Sequence, residues 1–88
     1  MTYKIKPTKT FEKNLKNLTA QEQRLVTRKL MQMMEDPYYP SLRTKKVQGF
    51  RDIFECSVNM DIRILWQYQG TDIIVTLDIG RHSLIDSF

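Results

Sequence analysis

The spacing of apolar positions changes period twice along this chain. Tyr3-Lys4-Ile5-Lys6 alternates ahead of Pro7, which predicts a short first strand with Tyr3 and Ile5 turned inward. From Phe11 the period becomes helical. Phe11, Leu15 and Leu18 stand at i, i+4 and i+7 behind Thr8 or Thr10, while Lys9, Lys13 and Lys16 fall on the wet side. Thr19-Ala20-Gln21-Glu22 has the form of a capping box, in which hydroxyl and carboxylate satisfy orphan amides at a helix start. The second helix carries Val26, Leu30, Met33 and Met34 on one stripe and stops at Asp36-Pro37, because the residue before proline disfavours helical backbone.

Beyond the Pro37-Tyr38-Tyr39-Pro40 connector and a basic loop from Leu42 to Gln48, the period drops to two. Three apolar runs, Ile53 to Val58, Ile62 to Tyr68 and Ile73 to Ile79, are separated by short turns. As a meander they place Phe54, Cys56, Val58, Ile62, Ile64, Trp66, Ile73, Val75, Leu77 and Ile79 on one face, against the helices. The turn at Asn59-Met60-Asp61 sets Ser57 opposite Arg63, and the turn at Gln69 to Asp72 sets Arg63 opposite Asp78. The expected fold is α+β, β-α-α-β-β-β, a single domain over 1–88. Its N-terminal strand and helical hairpin pack on one face of a small, twisted, mainly antiparallel sheet.

Composition narrows the function classes. A chain of 88 residues buries ~60–65% of its unfolded surface, enough for one core and no deep pocket. Its single cysteine, Cys56, forms no internal disulfide and joins no Cys/His cluster of the kind that holds zinc, so neither metal nor cofactor is expected. The alternation turns Cys56 inward, where a thiol is inert. No apolar run is long enough to cross a membrane, and the N-terminus lacks the apolar stretch of a secretory leader, so a reducing cytoplasm is the expected location. The net charge of +4 is unevenly spread: residues 1–51 carry twelve Lys/Arg against four Asp/Glu, and residues 52–88 two against six. A basic half of this kind suits a polyanion or an acidic protein, and equally suits plain solvation.

The chemistry-bearing residues gather at one end of the expected sheet. Metal-free RNA cleavage needs a base for the ribose 2′-hydroxyl, an acid for the leaving oxygen and cations for the charge gathering on phosphorus. His82, the only histidine, is the candidate for proton transfer, with Arg63 and Arg81 as candidate stabilisers. Each has a plain structural alternative: His82 as a turn residue, Arg63 as a cross-strand partner of Asp78. Asp61 either orients His82 or acts as base, or is ordinary turn chemistry. Arg43, Lys45, Lys46 and Arg51 are candidates for gripping a nucleic-acid backbone. Tyr38 and Tyr39 stack on bases or pack the connector, and Met31, Met33 and Met34 fill the core or offer an adaptable partner contact.

The helical hairpin closed by proline, the basic loop ending in Gly49-Phe50-Arg51, the strand Asp61-Ile62-Arg63-Ile64-Leu65-Trp66 and the segment Asp78-Ile79-Gly80-Arg81-His82 together resemble the RelE/ParE superfamily of bacterial toxins. The resemblance covers nearly the whole chain and is nearest to the YafQ-like and RelE-like mRNA interferases. It implies the toxin of a type II toxin–antitoxin system, a ribosome-dependent endoribonuclease acting on mRNA in the ribosomal A site and held in check by a cognate antitoxin. Arg63 matches the strand arginine of RelE-like enzymes, and Asp61 and His82 match the aspartate and histidine of YafQ-like ones. Ser57 stands where the YafQ-like branch has a second histidine, Asp78 where some relatives have arginine, and Asp86 where relatives carry a base-stacking aromatic. Phe88, two residues further, is the candidate substitute. The ParE-like branch implies a different outcome, a gyrase inhibitor without nuclease chemistry, and a third reading is an inactive homologue that only binds an antitoxin.

Overall fold

The computed structural model describes residues 2–82. Strand β1 (Lys4–Pro7) leads into helix α1 (Lys9–Leu15) and helix α2 (Ala20–Glu35). A single 3-10 turn (Pro40–Leu42) then precedes strands β2 (Lys45–Lys46), β3 (Phe54–Ser57), β4 (Ile62–Gln69) and β5 (Ile73–Arg81). The five strands form one sheet in the order β1-β5-β4-β3-β2, with β1 parallel to β5 and the other neighbours antiparallel. The α+β arrangement expected from the sequence is therefore present, with one addition. Part of the basic loop is a two-residue edge strand, Lys45 opposite Glu55 and Lys46 opposite Phe54, too short to leave a period in the sequence.

Both helices start where their caps lie. The Thr8 hydroxyl accepts from the Phe11 amide at 3.2 Å. In α2 the capping box closes in both directions, with Glu22 N donating to Thr19 Oγ1 at 3.1 Å and Thr19 N donating to Glu22 Oε1 at 3.0 Å. Helix α1 ends at Leu15, so Leu18 continues its apolar stripe from the connecting turn. The core joins Phe11, Leu18, Val26 and Met33 to Phe54, Cys56, Val58, Ile62, Ile64 and Trp66 from the sheet, and Leu42 closes one side.

In β5 the inward set differs from the expected one. Ile74, Thr76 and Ile79 are buried, whereas Ile73, Val75 and Leu77 are half-exposed. Two local features shift the register. The connection after Gln69 has three residues, with Gly70 at φ 64°, so that Gln69 faces Ile73. A β-bulge then places Leu65 opposite Asp78 but Trp66 opposite Thr76, leaving Leu77 as the extra residue. Because alternation has period two, that residue changes which β5 side chains face the helices. Arg63 consequently faces Gly80, not Asp78.

Candidate active site

Polar groups of α1 hold the bulge in place. Thr8 Oγ1 lies 2.9 Å from the Thr76 carbonyl and 3.0 Å from that of Leu77, and Thr8 N donates to Thr76 O at 3.1 Å. Asn14 Nδ2 donates to Asp78 Oδ1 at 2.6 Å, and the same oxygen accepts from Ile79 N at 2.8 Å. These contacts tie the bulged stretch of β5 to the N-cap and body of α1. Asp78 is thus turned toward α1 and away from Arg63.

The shifted register builds a cleft of about 260 Å³ on the sheet face away from the helices, lined by Arg43, Lys45, Glu55, Ser57, Arg63 and His82. Glu55 and Ser57 project from β3, Arg63 from β4 opposite Ser57, and Lys45 from β2 opposite Glu55. Lys45 Nζ lies 3.8 Å from Glu55 Oε1, whose side chain is only 13% exposed. Arg63 Nη1 donates to the carbonyls of Asn59, at 2.7 Å, and Ile62, at 3.2 Å. Those bonds fix the plane of the guanidinium, and a guanidinium has further donors on Nε and Nη2 with which to meet an anion. Arg43 reaches the cleft from a left-handed backbone at φ 52°.

Four of the residues singled out in the sequence, His82, Arg63, Arg43 and Lys45, therefore come together. Others do not. Lys46 opposes Phe54, a core residue, and so lies on the other side of its strand from Lys45. Arg51 is exposed in the loop before β3 and does not line the cleft. Arg81 points to the helix side, with Nη1 donating to Glu22 Oε2 at 2.8 Å and to Asp61 Oδ2 at 2.9 Å. These carboxylates raise the affinity of Arg81 for its proton, and Arg81 in turn holds Glu22 below the usual carboxylate range. Asp61 also accepts the His82 backbone amide on its own carbonyl at 2.6 Å. Phe88 and Asp86 lie outside the described residues.

The sequence reading did not single out Glu55 for chemistry. The signal was available, since alternation along β3 puts Glu55 on the same face as Ser57, whose partner across the ladder is Arg63. Tyr38 and Tyr39 are exposed, and Tyr38 meets Phe54 edge-on at 6.3 Å between centroids. Cys56 is buried, and burial pushes its thiol up to about 12. Among the described residues no three His, Cys, Asp or Glu side chains are grouped as ligands for a metal ion, and no helix is long and apolar enough to cross a membrane.

No family model matches the sequence, and no curated protein matches it. Solved structures do. The archaeal RelE–RelB complex from Pyrococcus horikoshii superposes with a TM-score of 0.77 at 21% identity, over 92% of this chain and 96% of that one. The toxin–antitoxin complex RelBE2 from Mycobacterium tuberculosis gives 0.78 at 15% identity, over 93% and 100% of the two chains. The DinJ–YafQ toxin–antitoxin complex from E. coli gives 0.75 at 12% identity, over 97% and 98%. The chain has the RelE-like α+β fold over nearly its whole length.

Proposed function

We propose that this chain is the toxin of a toxin–antitoxin pair and a ribosome-dependent endoribonuclease that cleaves translated mRNA in the A site. The observation that carries the reading is the convergence of one carboxylate, one imidazole and three cations, Glu55, His82, Arg63, Arg43 and Lys45, in a single cleft. Arg43 adds support. It occupies a left-handed conformation that glycine adopts with less strain, so the cation is bought at a backbone cost.

In this reading Glu55, on the wall of the cleft, takes the proton of a ribose 2′-hydroxyl as its oxygen attacks the neighbouring phosphorus. The bond from phosphorus to the 5′-oxygen breaks, and that oxygen leaves with the electron pair and receives a proton from His82. The products are a 2′,3′-cyclic phosphate and a 5′-hydroxyl end. Arg63, with its plane preset by the turn carbonyls, meets the charge on the phosphorane, and Arg43 and Lys45 hold the flanking phosphates. In this reading the second imidazole position, Ser57, is dispensable because Glu55 supplies the base. The partner that restrains the toxin is an antitoxin segment of acidic, amphipathic character, matched to the basic cleft.

The test is cleavage of a reporter mRNA on translating bacterial ribosomes. Glu55→Gln and His82→Ala are each expected to slow the cut by about 10²–10⁴-fold with circular dichroism unchanged. Wild-type rates in both variants would end the acid–base assignment. Growth arrest with inhibited gyrase supercoiling and intact mRNA would establish the ParE-like alternative.

A further inference from the structure

We propose that Glu22, the capping glutamate of α2, is a positioning residue for His82, acting through Arg81 and Asp61. This deepens the nuclease reading above and depends on it only for its catalytic readout. A capping box needs one carboxylate oxygen, and Glu22 Oε1 supplies it by accepting from Thr19 N at 3.0 Å. The other oxygen, Oε2, accepts from Arg81 Nη1 at 2.8 Å, and Arg81 Nη2 reaches Oε1 at 3.3 Å. Nothing in the capping of α2 requires this second engagement.

Asp61 completes the clamp by holding two successive residues in two ways. Its carboxylate accepts from Arg81 Nη1 at 2.9 Å, and its carbonyl accepts from His82 N at 2.6 Å. Asp61 is itself held, because Asn59 Oδ1 accepts from the amides of both Asp61 and Ile62 at 2.8 Å. Three distant parts of the chain, the α2 N-terminus, the β3–β4 turn and the end of β5, thus meet at one guanidinium.

Alternation converts this clamp into an orientation for His82. Arg81 opposes Ile62, whose side chain is in the core, so Arg81 lies on the helix side of the sheet. His82, the next residue, lines the cleft on the other side with Arg63. Drawing Arg81 toward Glu22 therefore turns the following residue toward the cleft. Exposed ion pairs contribute little to stability singly, so the consequence of this one is geometric. A proton donor must sit within about an ångström of its place, and its rate falls steeply when it does not.

The decisive comparison uses the full chain as wild type, Glu22→Gln and Thr19→Ala. Glu22→Gln keeps an amide oxygen for the Thr19 amide and removes the charge that draws Arg81; Thr19→Ala weakens the cap and leaves Glu22 and Arg81 in place. Hydrogen exchange by NMR follows the His82 amide, and kinetics on ribosomes programmed with reporter mRNA follow kcat and KM. In Glu22→Gln the His82 amide is expected to exchange roughly tenfold faster relative to core amides, with kcat down roughly tenfold and KM within about twofold. Thr19→Ala is expected to lower the melting temperature while leaving both readouts at wild-type values. Unchanged His82 protection in Glu22→Gln, or equal loss in both variants, would make Glu22 a helix cap only and overturn the proposal. Should wild type not cut mRNA, the nuclease reading fails, and the exchange measurement still decides the clamp.

Discussion

Arg63 lies directly across the β4–β5 ladder from Gly80, so that its guanidinium and the imidazole two residues beyond that glycine enter one cleft. The relationship depends on a single extra residue in β5. Without the bulge at Leu77, Arg63 would face a different residue of β5.

Arg63 is expected to be the most sensitive cation of the cleft. Arg63→Ala should slow mRNA cleavage by about 10²–10³-fold, the usual cost of one transition-state donor. Arg63→Lys should recover little, because an ammonium cannot both hold two carbonyls in the guanidinium plane and meet a phosphate. Single-turnover rates on programmed ribosomes measure both.

Asn14 fixes the bulge from α1, and its loss leaves a part-buried carboxylate without its short side-chain donor. Asn14→Ala is expected to cost about 1–2 kcal/mol in urea unfolding. Cleavage should fall with it, since Gly80 and His82 follow directly from the segment that Asn14 anchors.

Trp66 and Thr76 face each other across the ladder, and Thr76 Oγ1 is buried without a hydrogen-bond partner among the described residues. Thr76→Val replaces the orphan hydroxyl by a methyl group of nearly the same shape. It is expected to stabilise the fold by about 1 kcal/mol, read as a higher midpoint in urea.

Two groups make the fold sensitive to alkali. Burial raises Cys56 from 9.0 to about 12, and burial, with Tyr38 and Tyr3 nearby, raises Tyr68 from 10.0 to about 12. Both values lie above those of the unfolded chain, so their contribution is complete below about pH 9 and is lost as pH rises toward 12. Melting temperature should therefore fall across that window, and Cys56→Ala should flatten the part due to the thiol. Glu22 works in the opposite sense. Its value is lowered, by Arg81 first and the Thr19 amide second, so its contribution is present above the ordinary carboxylate range and is lost as pH falls through the folded value. Glu22→Gln should remove that acid-side loss.

What the sequence determined by itself is what short-range periodicity and local caps can specify. The apolar stripes on Phe11, Leu15 and Leu18 and on Val26 and Met33 set the helices. Thr19 and Glu22 set the start of α2, and the Asn59 turn set Ser57 opposite Arg63, because each depends on residues within a few positions. The tertiary structure decided the rest. The bulge at Leu77 leaves no local mark, since the Leu77 carbonyl is met by Thr8, 69 residues away. Glu55 became part of the cleft only when its strand lay beside Arg63 and His82, and Arg81, which alternation sets on the helix side, met its partner only when the fold brought up Glu22, 59 residues distant. Periodicity says which face a side chain occupies, but hydrogen bonds and charges between distant segments choose which residues on that face meet.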